Sequence, residues 1–313
     1  MDIFRETAGA LTIPPLRWPV ATLGTFDGVH LGHQRILRET IGWARSQSGE
    51  SVVITFSTHP RTITSGLASG FITSITSLNH RLVLMERLGV DVAVVLDFDR
   101  KLAETPADVF AETYLCRMIG VRGVVVGYNN RFGKDRTGDA NLLRRLGTRA
   151  GFEVREVEPV AVDGEVVSSS AIRNAIYRGE LEAAAKMLGR PVSVMGTVVG
   201  GEHRGTRLGF PTANLDLHHE ARPPAGVYAG WTDIDDRRYK VLISIGSQPT
   251  FHAPGSPEVV EVYLDGFQGN LYGRDLEVMF AQRLRGQLQF ESAEELKQQI
   301  RDDIEHLRHL PLD

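Results

Sequence analysis

The sequence holds a single cysteine, Cys116, in 313 residues. An internal disulfide and any cysteine-rich zinc or iron–sulfur site are therefore excluded. No apolar run approaches bilayer length, and the opening MDIFRETAGALTIPP lacks the basic start and apolar stretch of a signal peptide. A cytoplasmic protein with no membrane partner is expected. Nor is there a basic excess: 35 Lys and Arg stand against 39 Asp and Glu, a formal net charge of -4. That balance gives no electrostatic case for nucleic acid as a partner. G-x-x-x-x-G-K-[ST] occurs nowhere, which argues against a P-loop NTPase. Repeats and low-complexity linkers are absent too. What remains is 42% hydrophobic and 24% charged, in a chain long enough for two domains.

The first half alternates short apolar runs with helical patterns. PVATLG (19–24), SVVITF (51–56), DVAVVLDF (91–98), VRGVVVG (121–127) and FEVREVEPV (152–160) read as strands. HQRILRETIGWARSQ, LNHRLVLMERLG, PADVFAETYLCRMIG and DANLLRRLGTRAG lie between them, with apolar residues at helical spacing. Buried β-branched runs alternating with helices predict an α/β domain, a doubly wound parallel sheet over residues 1–186. Beyond Pro191 the pattern changes. VSVMGTVVGG, GVYAGWTDI, RRYKVLISIG, PEVVEVYL and DLEVMFAQRL are short strand-like runs broken by Gly, Pro and Asp. They predict a small antiparallel β-barrel over 187–313, closed by a terminal helix with Ser292 as N-cap and Glu295 completing a capping box.

In open parallel sheets ligands sit beyond the carboxyl ends of the strands. GTFDGVHLGH follows the first predicted strand, STHPR the second, GYNNRFGKDRTGD the fourth and VSSSAIR the fifth. Four polar segments would thus converge on one sheet edge. Their chemistry suits a polyphosphate. Gly24, Gly28 and Gly32 admit close backbone approach, the helix N-terminus offers free N–H groups, and His30 and His33 can donate hydrogen bonds to phosphate oxygens. Ser169, Ser170 and Arg173 form a second anion site. Two histidines at i, i+3 also fit zinc, although further ligands would have to come from elsewhere without cysteines. Taken singly, His30 could be a helix cap, Asn129 a turn residue, His59 a loop residue and Arg173 a solvated charge.

GTFDGVHLGH resembles the signature of the HxGH nucleotidyltransferase superfamily. With FG-x-x-R-x-GD at 132–139 and SSSAIR, it is similar to the adenylyltransferase module of bacterial bifunctional riboflavin kinase/FAD synthetases. The resemblance implies transfer of AMP from ATP to FMN, with FAD and pyrophosphate as products. His30 and His33 would stabilise the phosphates in the transition state. Gly24, Phe26, Asp27, Gly32, His59, Asn129, Ser169, Ser170 and Arg173 would bind and position the nucleotide. Two positions depart from the family pattern: Asn130 stands where Phe is usual, and Ser170 where Thr is usual.

LGFPTANL (208–215) is the most specific string after the histidine corner. Thr212 and Asn214 place two neutral oxygen donors on one side of an extended segment, which suits a magnesium ion that keeps most of its water and phosphate ligands. GGEHRGTRLG, with Gly205 and Arg207, supplies a glycine-rich basic turn able to lie over phosphates. A Gly-Pro turn between barrel strands explains the same string without any ligand. PPAGVYAG, IGSQPTF, VVEVYL and NLYGRDLEVMF then follow in the order of a riboflavin kinase module, so the resemblance covers nearly the whole chain. It implies Mg2+ with ATP on Thr212 and Asn214, and Glu261 as the general base for the riboflavin 5′-hydroxyl. Here the departures are Thr206 after Gly205, Ser244 for the usual Asn, and the spacing within YLDGFQGN. A bifunctional enzyme acting on small molecules is the expectation. The alternatives are an FMN adenylyltransferase with a degenerate kinase half, or a flavin-sensing regulator, although a pure binder would need neither a base nor magnesium ligands.

Overall fold

The computed structural model describes residues 1–7, 9–58, 73–201, 205, 208–246 and 259–311. Contacts divide the chain into two units, Met1–Ser74 with Leu78–Ser169, and Ile75–Ser77 with Ser170–Asp313.

The first unit is built on six parallel strands: β1 (Asp2–Arg5), β2 (Val20–Leu23), β3 (Ser51–Phe56), β4 (Val92–Leu96), β5 (Gly123–Gly127) and β6 (Glu153–Val157). Their order is β1-β4-β3-β2-β5-β6. The five expected strands form, and β1 is an addition at the edge, where it pairs with β4 from Asp2 to Arg5. Strand side chains alternate between faces, and both faces are buried. Ala21, Leu23, Val52, Ile54, Val92 and Val94 enter one core, while Val20, Val53 and Val125 pack elsewhere. Covering helices include α1 (Leu31–Ser46), α2 (Leu78–Leu88) and α3 (Ala140–Ala150). A further helix, Ala107–Phe110, runs on as a π-helix from Ala111 to Ile119 and stops at Gly120, with φ 69°. From β2 the chain moves to β3 on one side and later to β5 on the other. The exits of β2 and β5 therefore flank the topological switch point, where such sheets place their ligands.

After β6 comes a hairpin that the sequence reading lacks, β7 (Ala161–Val162) with β8 (Glu165–Val166). It intervenes before VSSSAIR, so that segment does not leave the sheet directly.

In the second unit, helices α4 (Ser169–Arg178, in this unit from Ser170 on) and α5 (Leu181–Leu188) precede a closed antiparallel barrel. Its strands are β9 (Ser193–Val199), β10 (Thr212–Asp216), β11 (Gly226–Ile234), β12 (Arg237–Gly246), β13 (Val259–Leu264) and β14 (Asp275–Arg285), in the order β10-β13-β12-β11-β14-β9. Five were expected. The sixth, β10, is the TAN segment itself, and it closes the barrel by pairing with both β9 and β13. Val241, Ile243 and Ile245 are wholly buried. Between them, Leu242 faces the other way and packs on Ile304 and Leu307 of the closing helix α6 (Ala293–His309).

That helix is held at both ends. Ser292 accepts the Glu295 N–H at 3.2 Å, as a cap should. Glu295, however, reaches one residue further back than a capping box requires, accepting from the Glu291 N–H at 3.1 Å. At the other end the Lys240 ammonium donates to the Arg308 and Leu310 carbonyls at 2.8 and 2.6 Å, neutralising the helix's negative pole. Mid-helix, Asp303 takes Arg285 at 3.0 Å to Nε and 2.8 Å to Nη2, and its side chain is only 7% exposed. Removing one partner of such a pair strands the other charge. Asp303→Ala is expected to cost about 3–5 kcal/mol, measured as a lower urea midpoint for barrel unfolding.

Candidate active sites

β2 ends at Leu23, and the chain turns sharply through Thr25–His30 into α1. The turn is strained: Phe26 has φ 49°, Gly28 81° and the β-branched Val29 40°. Left-handed backbone at two non-glycine residues costs of order 1–3 kcal/mol each and survives where a site requires it. The result is to aim His30 and His33 together. His30 is the N-cap of α1, its Nδ1 accepting the His33 N–H at 3.4 Å. An accepting Nδ1 leaves the proton on Nε2, so the ring presents a donor on its far edge. The two imidazoles stack with centroids 3.6 Å apart and planes 19° from parallel. Phe26, buried to 2% exposure, abuts His33 edge-on at 5.3 Å.

Burial, then the neighbouring His30 and Arg81, hold the His33 pKa well below the ordinary imidazole range. His33 is thus neutral, and its Nδ1 lies out of solvent with no hydrogen-bond partner among the described residues. An orphaned buried nitrogen is costly, and native structures keep few of them.

The glycines of this corner have reasons inside the protein. Gly28 sits at φ 81°, the left-handed region. A Cβ on Gly32 would lie 3.2 Å from the His30 ring, so its absence makes room for the stack. At Gly24 an added Cβ would meet the Phe26 ring at an ordinary 3.4 Å.

Two other predicted segments reach the corner. Ser169, at the start of α4, donates to the Asp27 carbonyl at 3.0 Å, and Asp27 is 2% exposed. Asn130, beyond β5, donates through Nδ2 to the Leu23 carbonyl at 2.9 Å. The residue standing in place of the usual Phe thus ties the β5 exit to the end of β2, across the switch point. Exposed Asn129 lies beside it. FGKDRTGD closes on itself: Phe132 and Gly138 exchange backbone hydrogen bonds of 3.1 and 2.9 Å, and Asp139 caps α3 through the Leu142 N–H. Ser170 and Arg173 lie on α4 in the second unit. His59 falls outside the described residues.

Sequence reasoning missed Arg81 altogether. It stands in the first turn of α2, 5% exposed, and donates to the Phe56 carbonyl at 3.0 Å, to Thr55 Oγ1 at 3.4 Å and to the Thr25 carbonyl.

On the barrel, strand register assembles the second site. Asn214 of β10 stands directly opposite Glu261 of β13, and Glu261 directly opposite Ser244 of β12. Thr212, two residues before Asn214, shares its face and pairs with Tyr263. All are half-buried, on the outward face that α6 covers further along. The glycine tract lies against them. A Cβ on Gly201 would come within 2.1 Å of Asn214 Nδ2, and one on Gly205 within 3.0 Å of Thr212 Oγ1. Arg207 and Thr206 lie outside the described residues. Gly201→Ala is expected to spare the fold, because the clashing atom ends a movable side chain, yet to displace the Asn214 amide. Misplacement of that kind costs on the order of tenfold in the rate of a reaction carried at this site, to be read as turnover beside an unchanged melting temperature.

No group of three or more His, Cys, Asp or Glu among the described residues is arranged to hold a metal. The zinc alternative for the histidine corner therefore gains no ligands there. Thr212 and Asn214 offer a different donor set, neutral oxygens of the kind a hydrated hard cation accepts.

A doubly wound domain with a strained, histidine-bearing exit at its switch point, and a barrel with an Asn–Glu pair on its outer face, together suit a transferase that handles phosphates. The chain matches the FAD synthetase family model over residues 15–171 and the riboflavin kinase model over 188–310. It is 37% identical over 303 residues to the bifunctional riboflavin kinase/FMN adenylyltransferase of Pseudomonas fluorescens, covering 95% of this chain and 94% of that one. It is 35% identical over 285 residues to the protein of the same name from Haemophilus influenzae, covering 91% of each. The chain belongs to the bifunctional riboflavin kinase/FMN adenylyltransferase family. Among solved structures it is similar to a Streptococcus pneumoniae protein called a macrolide-efflux protein, with TM-score 0.79, 32% identity and 94% of each chain covered. Among the described residues here, no helix is long and apolar enough to cross a membrane.

Proposed function

We propose that the two activities of the family divide between two sets of catalytic residues, with the adenylyltransferase in residues 1–186 and the kinase in 187–313. The gap between the matched ranges, 15–171 and 188–310, supports that division. In the first reaction an FMN phosphate oxygen attacks the α-phosphorus of ATP as the bond to pyrophosphate breaks. No enzyme nucleophile is needed. The His30 Nε2–H and its stacked partner His33 donate to the phosphate oxygens as charge shifts toward the leaving pyrophosphate. Gly24, Asp27, Gly32, Asn129, Ser169, Ser170 and Arg173, with His59, position the nucleotide. Phe26 contributes by fixing His33.

In the second reaction Glu261 accepts the riboflavin 5′-hydroxyl proton as that oxygen attacks the γ-phosphorus, giving FMN and ADP. Thr212 and Asn214 would hold Mg2+, which when bound would neutralise phosphate charge. Gly205 and Arg207 line the phosphates. The observation that carries the kinase reading is the Asn214–Glu261 register pair, with Thr212 on the same face. An adenylyltransferase with a decayed kinase half would have no use for that arrangement. The reading places the enzyme in the cytoplasm, where its ATP is.

The test is to incubate purified protein with riboflavin, ATP and Mg2+ and to resolve the flavins by chromatography. FMN followed by FAD is expected. FAD formed only from supplied FMN would refute the kinase assignment, and flavin bound but never converted would refute both.

A further inference from the structure

Arg81 breaks two local rules at once. A cation in the first turn of a helix opposes the helix dipole, and a buried guanidinium gives up its hydration. Sequences break such rules mainly where a site needs it. The groups Arg81 holds show what the need is. Thr25 belongs to the corner that carries His30 and His33, and Phe56 is the last residue of β3, which Ser57 and Thr58 follow. Its guanidinium spans the two exits, reaching the Thr25 carbonyl, the Phe56 carbonyl at 3.0 Å and Thr55 Oγ1 at 3.4 Å. Thr55 Oγ1 itself lies 3.4 Å from the Thr25 carbonyl, so the clasp closes on both sides.

We propose that Arg81 is a positioning residue for adenylyl transfer, fixing the His30–His33 corner relative to the β3 exit. The proposal rests on the assignment of that corner to adenylyl transfer. Arg81 acts through backbone carbonyls. It sets where the corner sits and supplies a fixed positive charge beside it.

That charge gives a readout that packing alone would not move. Among the described residues, the charged or titratable groups bearing on His33 are His30 in its own corner and Arg81 from α2, while the uncharged Phe26 ring closes another side. Asp27 lies in the same turn. Removing the Arg81 charge relieves one of the causes that depress the His33 pKa, so His33 protonates at higher pH. A charged imidazole whose Nδ1 is buried without a hydrogen-bond partner among the described residues loses its hydration uncompensated, which disturbs the stack. The acid limb of the FAD-forming rate must then move to higher pH.

The experiment measures FAD formation from FMN and FMN formation from riboflavin in Arg81→Gln and Arg81→Lys, across pH. In Arg81→Gln, kcat for FAD formation is expected to fall about 30-fold, in line with a site loosened by an ångström. Its KM for ATP should stay within about threefold, because binding groups are untouched. Its acid limb should rise by about half a pH unit, with kinase activity intact. Arg81→Lys keeps the charge but cannot span both carbonyls; it should lose about fivefold in kcat with the limb in place. A wild-type kcat in Arg81→Lys, a limb that stays put in Arg81→Gln, or parallel loss of kinase activity in Arg81→Lys would each overturn the proposal. If Arg81→Gln does not fold, the lysine variant decides alone. A His30→Ala, His33→Ala double variant is run alongside. If it still makes FAD, the assignment of the corner has failed, and not merely the role of Arg81.

Discussion

The His30→Ala, His33→Ala double variant should lose FAD formation from FMN by about 10³-fold or more, since each donor to a developing oxyanion is worth 10²–10³. Riboflavin phosphorylation should be untouched. The size of the effect follows from the geometry of the corner. His30 caps α1 and in doing so fixes its own tautomer, and the 3.6 Å stack transmits that order to His33. Removing both rings takes away donors and cap together. A cap alone is worth about 1 kcal/mol, and the strained turn through Phe26 and Val29 is held by other contacts as well. Loss of activity without comparable loss of stability is therefore the expected pattern, with steady-state FAD formation and thermal melting measured on the same preparation.

The second large effect is expected at Glu261. Glu261→Ala should lower FMN formation by about 10²–10⁴-fold, the range for a positioned general base. FAD formation from supplied FMN should continue at the wild-type rate. The carboxylate is half-buried between Asn214 and Ser244 on adjacent strands, so its position is set by the ladder and not by a mobile loop. Glu261→Gln keeps the shape and the hydrogen-bonding capacity but removes the base. It should lose nearly as much kcat while retaining flavin binding, and flavin binding can be followed by fluorescence quenching.

Much of this was legible in the chain. Five parallel strands and the barrel announce themselves through β-branched runs, and the histidine corner through its spacing. The strands that escaped did so for physical reasons. β1 is only four residues long, DIFR, too short to display a period. β10 alternates Thr-Ala-Asn-Leu-Asp, a strand pattern whose outer face is polar, and Phe-Pro before it disguises the start. Register is a property of pairing, so nothing in the string says that Asn214 faces Glu261. Arg81 reads as one charge of an amphipathic helix, and only packing reveals that it turns inward with His80 and Leu82. Asn130 posed a question that the sequence left open. The answer is a 2.9 Å hydrogen bond to Leu23, which ties two strand exits together. The capping box missed by one residue because Ser292 and Glu295 fix only the spacing of the box. Which N–H the carboxylate takes is decided by how the preceding loop arrives.

The central claim is that two separate sets of residues perform two consecutive reactions. It is tested most directly by mixing the Glu261→Ala protein with the His30→Ala, His33→Ala protein in riboflavin, ATP and Mg2+. Neither variant alone should make FAD from riboflavin. The mixture should, with FMN made by the histidine variant appearing in solution first and then being consumed. FAD from either variant alone, or a mixture in which FMN accumulates and FAD never forms, would contradict the account.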